Sequence, residues 1–450
     1  MNLDNFKSIY FIGIGGIGMS ALAHYFVNQG AKVSGYDRNK TELTKELENI
    51  GVEISYDEKI DFLEDVKNIQ LAIFTPAINQ ENIYFQYFKK SQVPLLKRSQ
   101  ILGEITKSLD TIAVAGTHGK TTTSSIIAHI LTSDNKDGLS FIGGITSNYK
   151  SNFSIGEGDF SVVEADEYDR SFMNLSPNTI VLTSMDADHL DIYENKDSLV
   201  RAFKDFTNLL SDNKKLIVEE NISHFFEANL SYGFKKDNDL QIINIQIKEG
   251  LYLFDIVFKN QTYENFLFKM PGDYNLLNAA GSILACLVNG ITVESIKRGL
   301  QSYSGVKRRF DIQLSLPKLI YIDDYAHHPK EIDSLLGAVK SFYPNKFIVG
   351  VFQPHLFSRT RDFMDYFAES LSGFDQIFLL PIYPAREAPI KGVDSFVLMQ
   401  KIKNNNKRII NSVSELFSFL NRDLDMVLLT IGAGDIDQWP KKIKKIALNA

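Results

Sequence analysis

Residues 111–123 read TIAVAGTHGKTTT, an apolar run followed by a glycine-rich segment. The run from Thr111 to Ala115 has the length and composition of a buried strand, and a helix is predicted from Lys120 to Leu131. At such a junction, free backbone N–H groups and the helix dipole favour phosphate oxygens. A strand, a phosphate loop and a helix in this order predict a nucleotide-binding α/β sheet.

The predicted phosphate loop comprises Gly116, Thr117, His118, Gly119, Lys120, Thr121 and Thr122. It is a variant of the eight-residue P-loop, because Val114 stands at the position of the first glycine. We expect Lys120 to reach the β and γ phosphates of ATP and the Thr121 hydroxyl to coordinate Mg²⁺. A glycine turn before a helix can also produce such a string by chance, so the loop by itself predicts only nucleotide binding.

Length and composition limit the class of protein. A chain of 450 residues predicts about three compact units, and β-rich runs alternating with amphipathic helical runs predict the α/β class. The net charge of -7 argues against a nucleic-acid partner. The stretch Ile9–Val27 is apolar enough to suggest a signal or membrane segment, but its glycines favour a strand, a turn and a helix. No other run approaches the ~18 apolar residues of a membrane helix, so no membrane insertion is expected. The single cysteine, Cys286, fits a reducing compartment, and the expected location is the cytoplasm.

Three domains are predicted, with boundaries at 1–107, 108–307 and 308–450. The first is Rossmann-like, with a helix from about Ile17 and strands at Ile9–Ile14, Lys32–Tyr36 and Leu71–Thr75. The second is P-loop ATPase-like, with further strands at Ser161–Glu164 and Thr179–Thr183 and an antiparallel patch between Gln241 and Met270. The third is again Rossmann-like and opens at Leu319–Ile322, with strands at Phe347–Phe352, Gln376–Leu380 and Met426–Ile431.

A second glycine-rich segment, GIGGIG, lies near the start of the chain, and Asp37 follows it by 19 residues. In the dinucleotide-binding pattern its glycines cradle a diphosphate and the acidic residue holds a ribose hydroxyl. The glycines concerned are Gly13, Gly15, Gly16 and Gly18. The alternative is a tight turn packed under a helix, and a nicotinamide or flavin ligand also stays open. The second phosphate loop disfavours a redox cofactor, since redox enzymes seldom need ATP.

Two acidic segments follow predicted strands, EADE at 164–167 and DADHLD at 186–191. Both are expected at the carboxyl edge of one sheet, where ligands bind. Mg²⁺ needs only one or two protein carboxylates beside water and phosphate oxygens. Glu164 and His189 are therefore the favoured functional residues. Solvated loop charge is an equally good interpretation of Asp166, Glu167, Asp186 and Asp191.

GTHGKTTT, EADEYDRSF and DADHLDIY, after an N-terminal GIGGIGMSAL, resemble the Mur ligase family, and within it the MurC type. The similarity continues through GDYNLLNAAG, GVKRRFD, DDYAHHPKE, FQPHLFSRTRD, YPAREAPIKGV and TIGAGDI, and so covers nearly the whole chain. The resemblance implies that L-alanine is joined to the carboxylate of UDP-N-acetylmuramate at the expense of ATP. An acyl phosphate is the implied intermediate, ADP and phosphate are released, and the process is peptidoglycan precursor synthesis.

The resemblance also implies roles for individual residues. UDP-N-acetylmuramate would lie on the Gly13–Gly18 loop, and Thr121 and Glu164 would hold one Mg²⁺ while His189 helps to place a second. Contacts to ATP are implied for Asn275, Asn278, Arg309 and Asp324, the last two from a C-terminal domain that closes over the site. The implied catalytic set is Lys120, Glu164, His189, Arg309 and Asp324. Amino-acid or muramyl contacts are implied for Tyr325, His327, His328, His355, Arg359 and Arg361.

Two positions depart from the family pattern: Arg386 stands where a small residue is expected, and Tyr168 where serine is common. The lysine that some members carbamylate has no counterpart here. Rival interpretations are a murein tripeptide ligase, disfavoured by DADHLDIY, and a folylpolyglutamate synthetase. A non-catalytic nucleotide-binding or redox-sensing protein is the alternative from another class. A monomer or weak homodimer is expected.

Overall fold

The structure is a computed structural model that describes residues 3–59, 68–186, 196–210, 215–227, 230–248, 250–385, 387–421 and 423–449. The chain forms three α/β domains, each built on its own β-sheet, which confirms the predicted fold class. It divides into two compact units. The first comprises residues up to Gln246, Leu253–Phe268 and Leu277–Tyr303, and the second comprises Ile247–Tyr252, Lys269–Leu276 and residues from Ser304 onward. The predicted domain boundaries stay predictions.

The first domain contains a parallel sheet with helices between its strands. The strands are β1 (Ser8–Ile12), β2 (Lys32–Tyr36), β3 (Glu53–Ser55), β4 (Leu71–Phe74) and β5 (Leu95–Lys97). The helices are α1 (Ile17–Asn28), α2 (Glu42–Asn49), α3 (Ile83–Lys90) and α4 (Arg98–Thr106). The strand order is β3-β2-β1-β4-β5, so β1 pairs with β2 on one side and β4 on the other. The direction of winding reverses at β1, which is where open α/β sheets bind ligands.

The second domain contains the largest sheet. Its strands are β6 (Asp110–Ala115), β7 (Asp137–Phe141), β8 (Phe153–Ile155), β9 (Phe160–Glu164), β10 (Thr179–Leu182), β11 (Lys215–Glu219), β12 (Leu230–Gly233), β13 (Leu240–Lys248), β14 (Leu251–Phe258) and β15 (Gln261–Phe268). Its helices are α5 (Lys120–Ser133), α6 (Lys196–Thr207), α7 (Asp273–Val288) and α8 (Val293–Ser302). The order β15-β14-β13-β12-β11-β10-β6-β9-β7-β8 places β6 between β9 and β10.

The predicted antiparallel patch is confirmed at β13, β14 and β15. Strands joined by only two residues must run antiparallel, because a parallel pair needs a long crossover. Lys259 and Asn260, between β14 and β15, have φ of 51° and 59°, as a tight hairpin turn with two positive φ angles requires. Burial alternates along β14, so one face of this strand is covered and the other is more open.

The third domain has six strands among its described residues. They are β16 (Asp311–Ser315), β17 (Leu319–Asp324), β18 (Phe347–Phe352), β19 (Gln376–Leu379), β20 (Lys407–Ile409) and β21 (Met426–Ile431), in the order β16-β17-β21-β18-β19-β20. The helices are α9 (Pro329–Phe342), α10 (Phe357–Asp362), α11 (Met364–Leu371), α12 (Ser395–Lys401), α13 (Val413–Phe419) and α14 (Trp439–Leu448). The prediction that this domain opens at Leu319 was wrong, because β16 precedes β17 and pairs antiparallel with it.

The first and second domains share apolar packing. One core cluster includes Leu22 and Phe26 of α1 together with Phe141 of β7 and Phe206 of α6. The Tyr25 ring lies 6.3 Å from the Phe141 ring, centroid to centroid. These two domains therefore form one compact unit through buried side chains. In the part of the chain that the structure describes, no helix is long and apolar enough to cross a membrane.

A substitution at Gly103, in α4, can test the close packing between the first two domains. A Cβ at this position would lie 2.2 Å from the carbonyl oxygen of Asn174, whereas a Cβ at Gly337 in α9 would meet nothing within 4 Å. Alanine is the better helix former at both positions by up to about 1 kcal/mol. We therefore expect Gly337→Ala to be neutral or stabilising, and Gly103→Ala to lower the free energy of unfolding by about 1–3 kcal/mol.

Urea unfolding of the two variants beside the native protein measures both effects. Because helix propensity favours alanine in each case, a difference in sign isolates the steric clash at Asn174. A Gly103→Ala protein as stable as the Gly337→Ala protein would contradict the packing described here.

Candidate active site

The carboxyl ends of β6, β9 and β10 meet at one edge of the central sheet. β6 pairs in parallel with β9 on one side and with β10 on the other. Glu164 ends β9 and Asp186 follows β10, so the prediction that both acidic segments lie at one sheet edge is confirmed as far as Asp186. Residues 187–195, which include His189 and Asp191, lie outside the described residues.

The glycine-rich loop between β6 and α5 is held in a fixed shape. Gly116 and Gly119 have φ of 139° and 82°, and a Cβ on Gly119 would lie 2.4 Å from Asn278 Oδ1. The backbone N–H of His118 donates to Ser184 Oγ at 2.8 Å. The loop thus closes against the segment after β10 and against α7, and its last residues begin α5, whose N-terminal N–H groups favour anions.

The Lys120 ammonium group is buried together with a carboxylate. Its Nζ donates to the carbonyl oxygen of Gly116 at 2.6 Å and to Glu167 Oε1 at 2.9 Å. The Lys120 side chain is 12% exposed and that of Glu167 is 0% exposed. Burial acts to lower the pKa of Lys120, but the negative charges of Glu167, Asp166 and Glu164 outweigh it and raise that pKa. Lys120 is therefore a fixed positive charge at the phosphate loop.

Glu167 is a site residue that the sequence interpretation did not select. It was considered as much a solvated loop charge as a functional residue, yet it is fully buried against Lys120. The sequence could have indicated a carboxylate partner for Lys120, since a buried lysine after a phosphate loop needs a nearby anion. Which of the neighbouring carboxylates supplies it depends on how the chain turns after β9.

Glu164 and Thr121 bring oxygen atoms together. The Thr121 hydroxyl lies near the Glu164 side chain, and Glu164 Oε2 accepts from the Gly143 backbone N–H at 2.8 Å. Burial raises the pKa of Glu164, while the charge of Lys120, the nearby Thr121 hydroxyl and the Gly143 hydrogen bond oppose the rise. A hydroxyl and a carboxylate oxygen suit Mg²⁺, which keeps several waters or phosphate oxygens. Within the described ranges, no three His, Cys, Asp or Glu residues are grouped as metal ligands.

In the first domain, the glycine loop is tied to Asp37. Gly13 has φ of 87°, and its N–H donates to the carbonyl oxygen of Tyr36 at 2.7 Å. Asp37 Oδ2 accepts from the Gly15 N–H at 2.8 Å. Gly16 then caps α1, with Gly18 in its first turn. The carboxylate predicted to bind a ribose hydroxyl therefore shapes the loop, and its role toward a ligand stays a prediction.

A cavity of about 300 Å³ lies between the first and second domains. Its lining includes residues near the glycine loop of the first domain and residues near the predicted metal ligand Glu164. Among them are Gly16, Gly18, Thr75, Arg98, Gly143, Glu164, Asp166, Tyr168 and Ser171. The two predicted sites of the first compact unit thus open into one space.

Arg98 is the residue of this cavity that sequence analysis missed. It begins α4, and a Cβ on Gly18 would lie 3.0 Å from its Nη1 atom. Among the described residues, none forms a hydrogen bond or an ion pair with its guanidinium group. A cation beside a glycine loop is suited to a diphosphate, but no motif in the sequence marks this arginine.

In the second compact unit, Asp324 ends β17 and lies close to Arg309. Asp324 Oδ2 accepts from the Phe310 N–H at 2.7 Å, and Oδ1 accepts from the Ala326 N–H at 2.8 Å. Burial raises the pKa of Asp324 to about 6, although the Arg309 charge and these hydrogen bonds oppose it. The Arg309 guanidinium lies 5.3 Å from the Tyr325 ring centroid. The structure therefore brings these three predicted residues together.

Arg308, the neighbour of Arg309, is engaged within the fold. Its Nε donates to Asp323 Oδ2 at 3.2 Å, and its backbone φ is 64°. Arg309, by contrast, makes no side-chain hydrogen bond to any described residue. Asn275 donates from Nδ2 to the carbonyl oxygen of Pro271 at 2.7 Å. Hydrogen bonds within the fold thus hold the Arg308 side chain, and among the described residues none holds that of Arg309.

Two of the predicted histidines are close neighbours. The His327 and His355 rings lie 6.2 Å apart, and His355 stacks on Tyr383. Burial lowers the pKa of His355 to about 4, with the charges of His327 and Arg359 acting in the same direction. Burial also lowers the pKa of His327, against the opposing charge of Glu331. Both imidazoles are therefore neutral at physiological pH.

The remaining two predicted contact residues have local partners. His328 caps α9, and its Nδ1 accepts from the Lys330 N–H at 3.3 Å. Arg361 pairs with Asp362 at 2.7 Å, with both side chains half exposed. Neither observation tests a ligand role, which stays a prediction for both.

Three family models match successive parts of the chain. They are the Mur ligase family, catalytic domain, over residues 8–109, the Mur ligase middle domain over 114–286, and the Mur ligase, glutamate ligase domain, over 308–434. The chain therefore belongs to the Mur ligase family.

Individual relatives refine this comparison. The UDP-N-acetylmuramate--L-alanine ligase of Flavobacterium psychrophilum is 46% identical over 449 residues, which is 99% of each chain. The crystal structure of the UDP-N-acetylmuramate-alanine ligase MurC from Thermotoga maritima matches with a TM-score of 0.84 at 27% identity, over 98% of this chain and 99% of that one. A murein peptide ligase from Psychrobacter arcticus matches with a TM-score of 0.71 at 21% identity, over 98% of both chains, and shows the shared fold alone.

The raised pKa of Asp324 predicts a pH dependence of stability. A carboxyl with pKa of about 6 in the folded state and ~3.9 in the unfolded chain binds more protons when folded, so its contribution falls as pH rises from ~4 to ~6. Asp324→Asn cannot titrate. We therefore expect native stability to fall relative to this variant between pH 4 and 7, by at most about 2–3 kcal/mol.

Urea unfolding at several pH values in this window measures the difference. Asp365→Asn, at a carboxylate whose side chain is 82% exposed, controls for the loss of one negative charge. The quantity compared is the free energy of unfolding of the native protein minus that of Asp324→Asn. A value that stays constant across the window, or rises with pH, would contradict the raised pKa.

Proposed function

We propose that this chain joins L-alanine to the carboxylate of UDP-N-acetylmuramate with cleavage of ATP to ADP and phosphate, as a cytoplasmic step of peptidoglycan precursor synthesis. The observation that carries the proposal is the cavity whose lining includes both Gly16 and Gly18 of the glycine loop and Glu164 of the phosphate-loop edge. One ligand in this space would lie against both regions. The 46% identical relative named for this reaction supports the choice of substrates.

The chemistry requires ATP because a carboxylate is a poor acyl donor. In the proposed reaction, a muramate carboxylate oxygen attacks the γ-phosphorus and the bond to ADP breaks. The alanine amine then attacks the acyl carbon, loses a proton, and displaces inorganic phosphate through a tetrahedral intermediate. The enzyme must therefore hold two anions, the carboxylate and the triphosphate, against their mutual repulsion.

Lys120 and the N-terminus of α5 are proposed to meet the triphosphate. The Lys120 ammonium is fixed by Gly116 and Glu167, and a preset positive charge stabilises developing phosphoryl charge without reorganisation. Glu167 keeps this lysine protonated. The remaining loop residues, Thr117, His118, Gly119 and Thr122, would contribute backbone N–H groups to phosphate oxygens.

Thr121 and Glu164 fit a bound Mg²⁺ because a hydroxyl and a carboxylate oxygen lie near each other beside the phosphate loop. When bound, the cation supplies charge neutralisation between carboxylate and triphosphate. By family resemblance, His189 would help to hold a second ion.

Residues of the third domain are proposed to complete the substrate sites. Arg309 and Asp324 would contact ATP. Asn275 and Asn278, on α7 of the second domain, would contact its adenine end. Tyr325, His327, His355 and Arg359 would receive the amino acid and the muramyl group. Arg359 is suited to a carboxylate because its guanidinium fork stays charged at any working pH.

The murein tripeptide ligase is the weaker alternative. Its structural relative is 21% identical, whereas the alanine ligase of Flavobacterium psychrophilum is 46% identical over 99% of both chains. A non-catalytic nucleotide-binding protein would not need the buried Lys120–Glu167 pair beside Glu164. The ligase is therefore favoured over both.

Phosphate release tests the proposal directly. We expect release from ATP only when Mg²⁺, UDP-N-acetylmuramate and an amino acid are all present, with L-alanine preferred over L-serine and glycine. Omitting each component in turn supplies the controls. Turnover with a free tripeptide equal to that with L-alanine would overturn the assignment.

Lys120→Ala tests the phosphate loop. Loss of the fixed charge should reduce turnover by at least about 10³-fold while the affinity for UDP-N-acetylmuramate, measured by calorimetry, stays within twofold. Lys204→Ala, at an exposed position of α6, is the matched control and should keep native turnover. Appreciable activity in the Lys120→Ala protein would refute the role assigned to this side chain.

A further inference from the structure

The cavity between the first and second domains has an aromatic residue in its lining. Tyr168 lines it together with Glu164, Asp166 and Ser171 of the second domain. Tyr168 is 41% exposed, an unusual degree for a large aromatic side chain in a ligand-sized cavity.

The backbone immediately after Tyr168 is strained. Asp169 has φ 53° and ψ 23°, and Arg170 has φ 52° and ψ 29°. Two successive left-handed residues, neither of them glycine, cost free energy because Cβ crowds the backbone. Strain of this kind persists only where the surrounding structure enforces it, and it is concentrated at ligand sites.

The strained turn is anchored on both sides. Asp169 Oδ2 pairs with Lys97 Nζ of the first domain at 2.9 Å, and Arg170 pairs with Asp205 of α6 at 2.6 Å. These side chains are half exposed, so the ion pairs alone stabilise the turn little. The firmer anchor is Phe172, whose buried ring stacks on Phe206 with centroids 4.5 Å apart. The turn therefore holds Tyr168 in a defined position.

Tyr168 lies on the metal-site side of the cavity. Its backbone N–H donates to Asp166 Oδ1 at 3.1 Å, two residues after Glu164. A nucleotide sugar with its diphosphate on the glycine loop and its carboxylate near Glu164 would place its hexose ring between the two. Hexose rings present apolar C–H faces that pack on aromatic rings, which is the contact a cavity-lining tyrosine offers.

We propose that Tyr168 is a specificity-determining residue whose ring packs against the hexose of UDP-N-acetylmuramate and steadies the carboxylate for attack. The inference rests on the proposed function. It assigns the ring to the sugar, and the diphosphate to Arg98 and the glycine loop.

Calorimetric titration with UDP-N-acetylmuramate and with UDP separates these contacts. Tyr168→Ala should weaken UDP-N-acetylmuramate about tenfold and leave UDP within twofold, because UDP lacks the hexose. Tyr168→Phe should bind both as the native protein does, and Tyr168→Leu, which keeps bulk without a ring, should resemble Tyr168→Ala. Arg98→Ala, in contrast, should weaken both ligands.

Steady-state kinetics provide a second measurement. In Tyr168→Ala, the KM for UDP-N-acetylmuramate should rise about tenfold, while the KM for ATP stays unchanged. Tyr366→Ala, at a 63% exposed tyrosine of the second compact unit, should alter neither value. A general loss of structure would change all of these values together and would also lower the thermal unfolding midpoint.

Two results would overturn the inference: unchanged binding of UDP-N-acetylmuramate to Tyr168→Ala, or equal weakening of UDP, which would place the ring on the nucleotide. Both presuppose that the native protein binds UDP-N-acetylmuramate. Native protein that binds UDP and fails to bind UDP-N-acetylmuramate would refute the proposed function instead.

Discussion

The buried ion pair between Lys120 and Glu167 is the contact on which the central domain's chemistry depends. An ammonium group excluded from water stays charged only if an anion is held beside it. The phosphate loop after β6 supplies the lysine, and the turn after β9 supplies the carboxylate. Since β6 and β9 are adjacent parallel strands with Val114 opposite Glu164, their carboxyl ends deliver both groups to the same point. The pairing of these two strands therefore determines the protonation state of the lysine.

The edge of the central sheet at the carboxyl ends of β6 and β9 carries more negative than positive charge. Glu164, Asp166 and Glu167 all act on Lys120, and burial raises the pKa of Glu164 even with that cation nearby. One lysine thus faces three carboxylates before any triphosphate arrives. Bringing a polyphosphate to this place requires further positive charge, which favours a divalent cation on Glu164 and Thr121. The excess of carboxylates is consistent with a site that works only when a metal accompanies its nucleotide.

Sequence patterns predicted the parts of the fold that are buried on both sides. The strands at Phe347–Phe352 and Met426–Ile431 have the predicted bounds, because nearly continuous apolar runs leave little choice. The strand at Lys32–Tyr36 also has the predicted bounds, although its sequence is KVSGY. β16 was missed, since an edge strand with Asp311, Gln313 and Ser315 has no such run. Its partly exposed side chains allow a polar sequence.

The residues of the candidate site also differ in how far the sequence could indicate them. Lys120, Glu164 and Glu167 all belong to quoted motifs, but the motif does not show which carboxylate pairs with the lysine, and Arg98 belongs to no motif. An isolated charged residue carries no sign of whether the fold will bury it or aim it into a cavity. Asp37 shows a third outcome: the pattern located it beside the glycine loop, and the structure shows it accepting a hydrogen bond from the Gly15 N–H.

The third domain limits how the alanine amine can lose its proton. A general base works best with a pKa near the operating pH, yet burial lowers the pKa of His355 to about 4 and also lowers that of His327. Neutral imidazoles whose pKa is lowered by burial are suited to hydrogen bonding and shape, and they are poor acceptors of a proton from an ammonium group. Under the proposed function, the histidines therefore position the amino acid, and catalysis in this domain depends on placement more than on proton transfer.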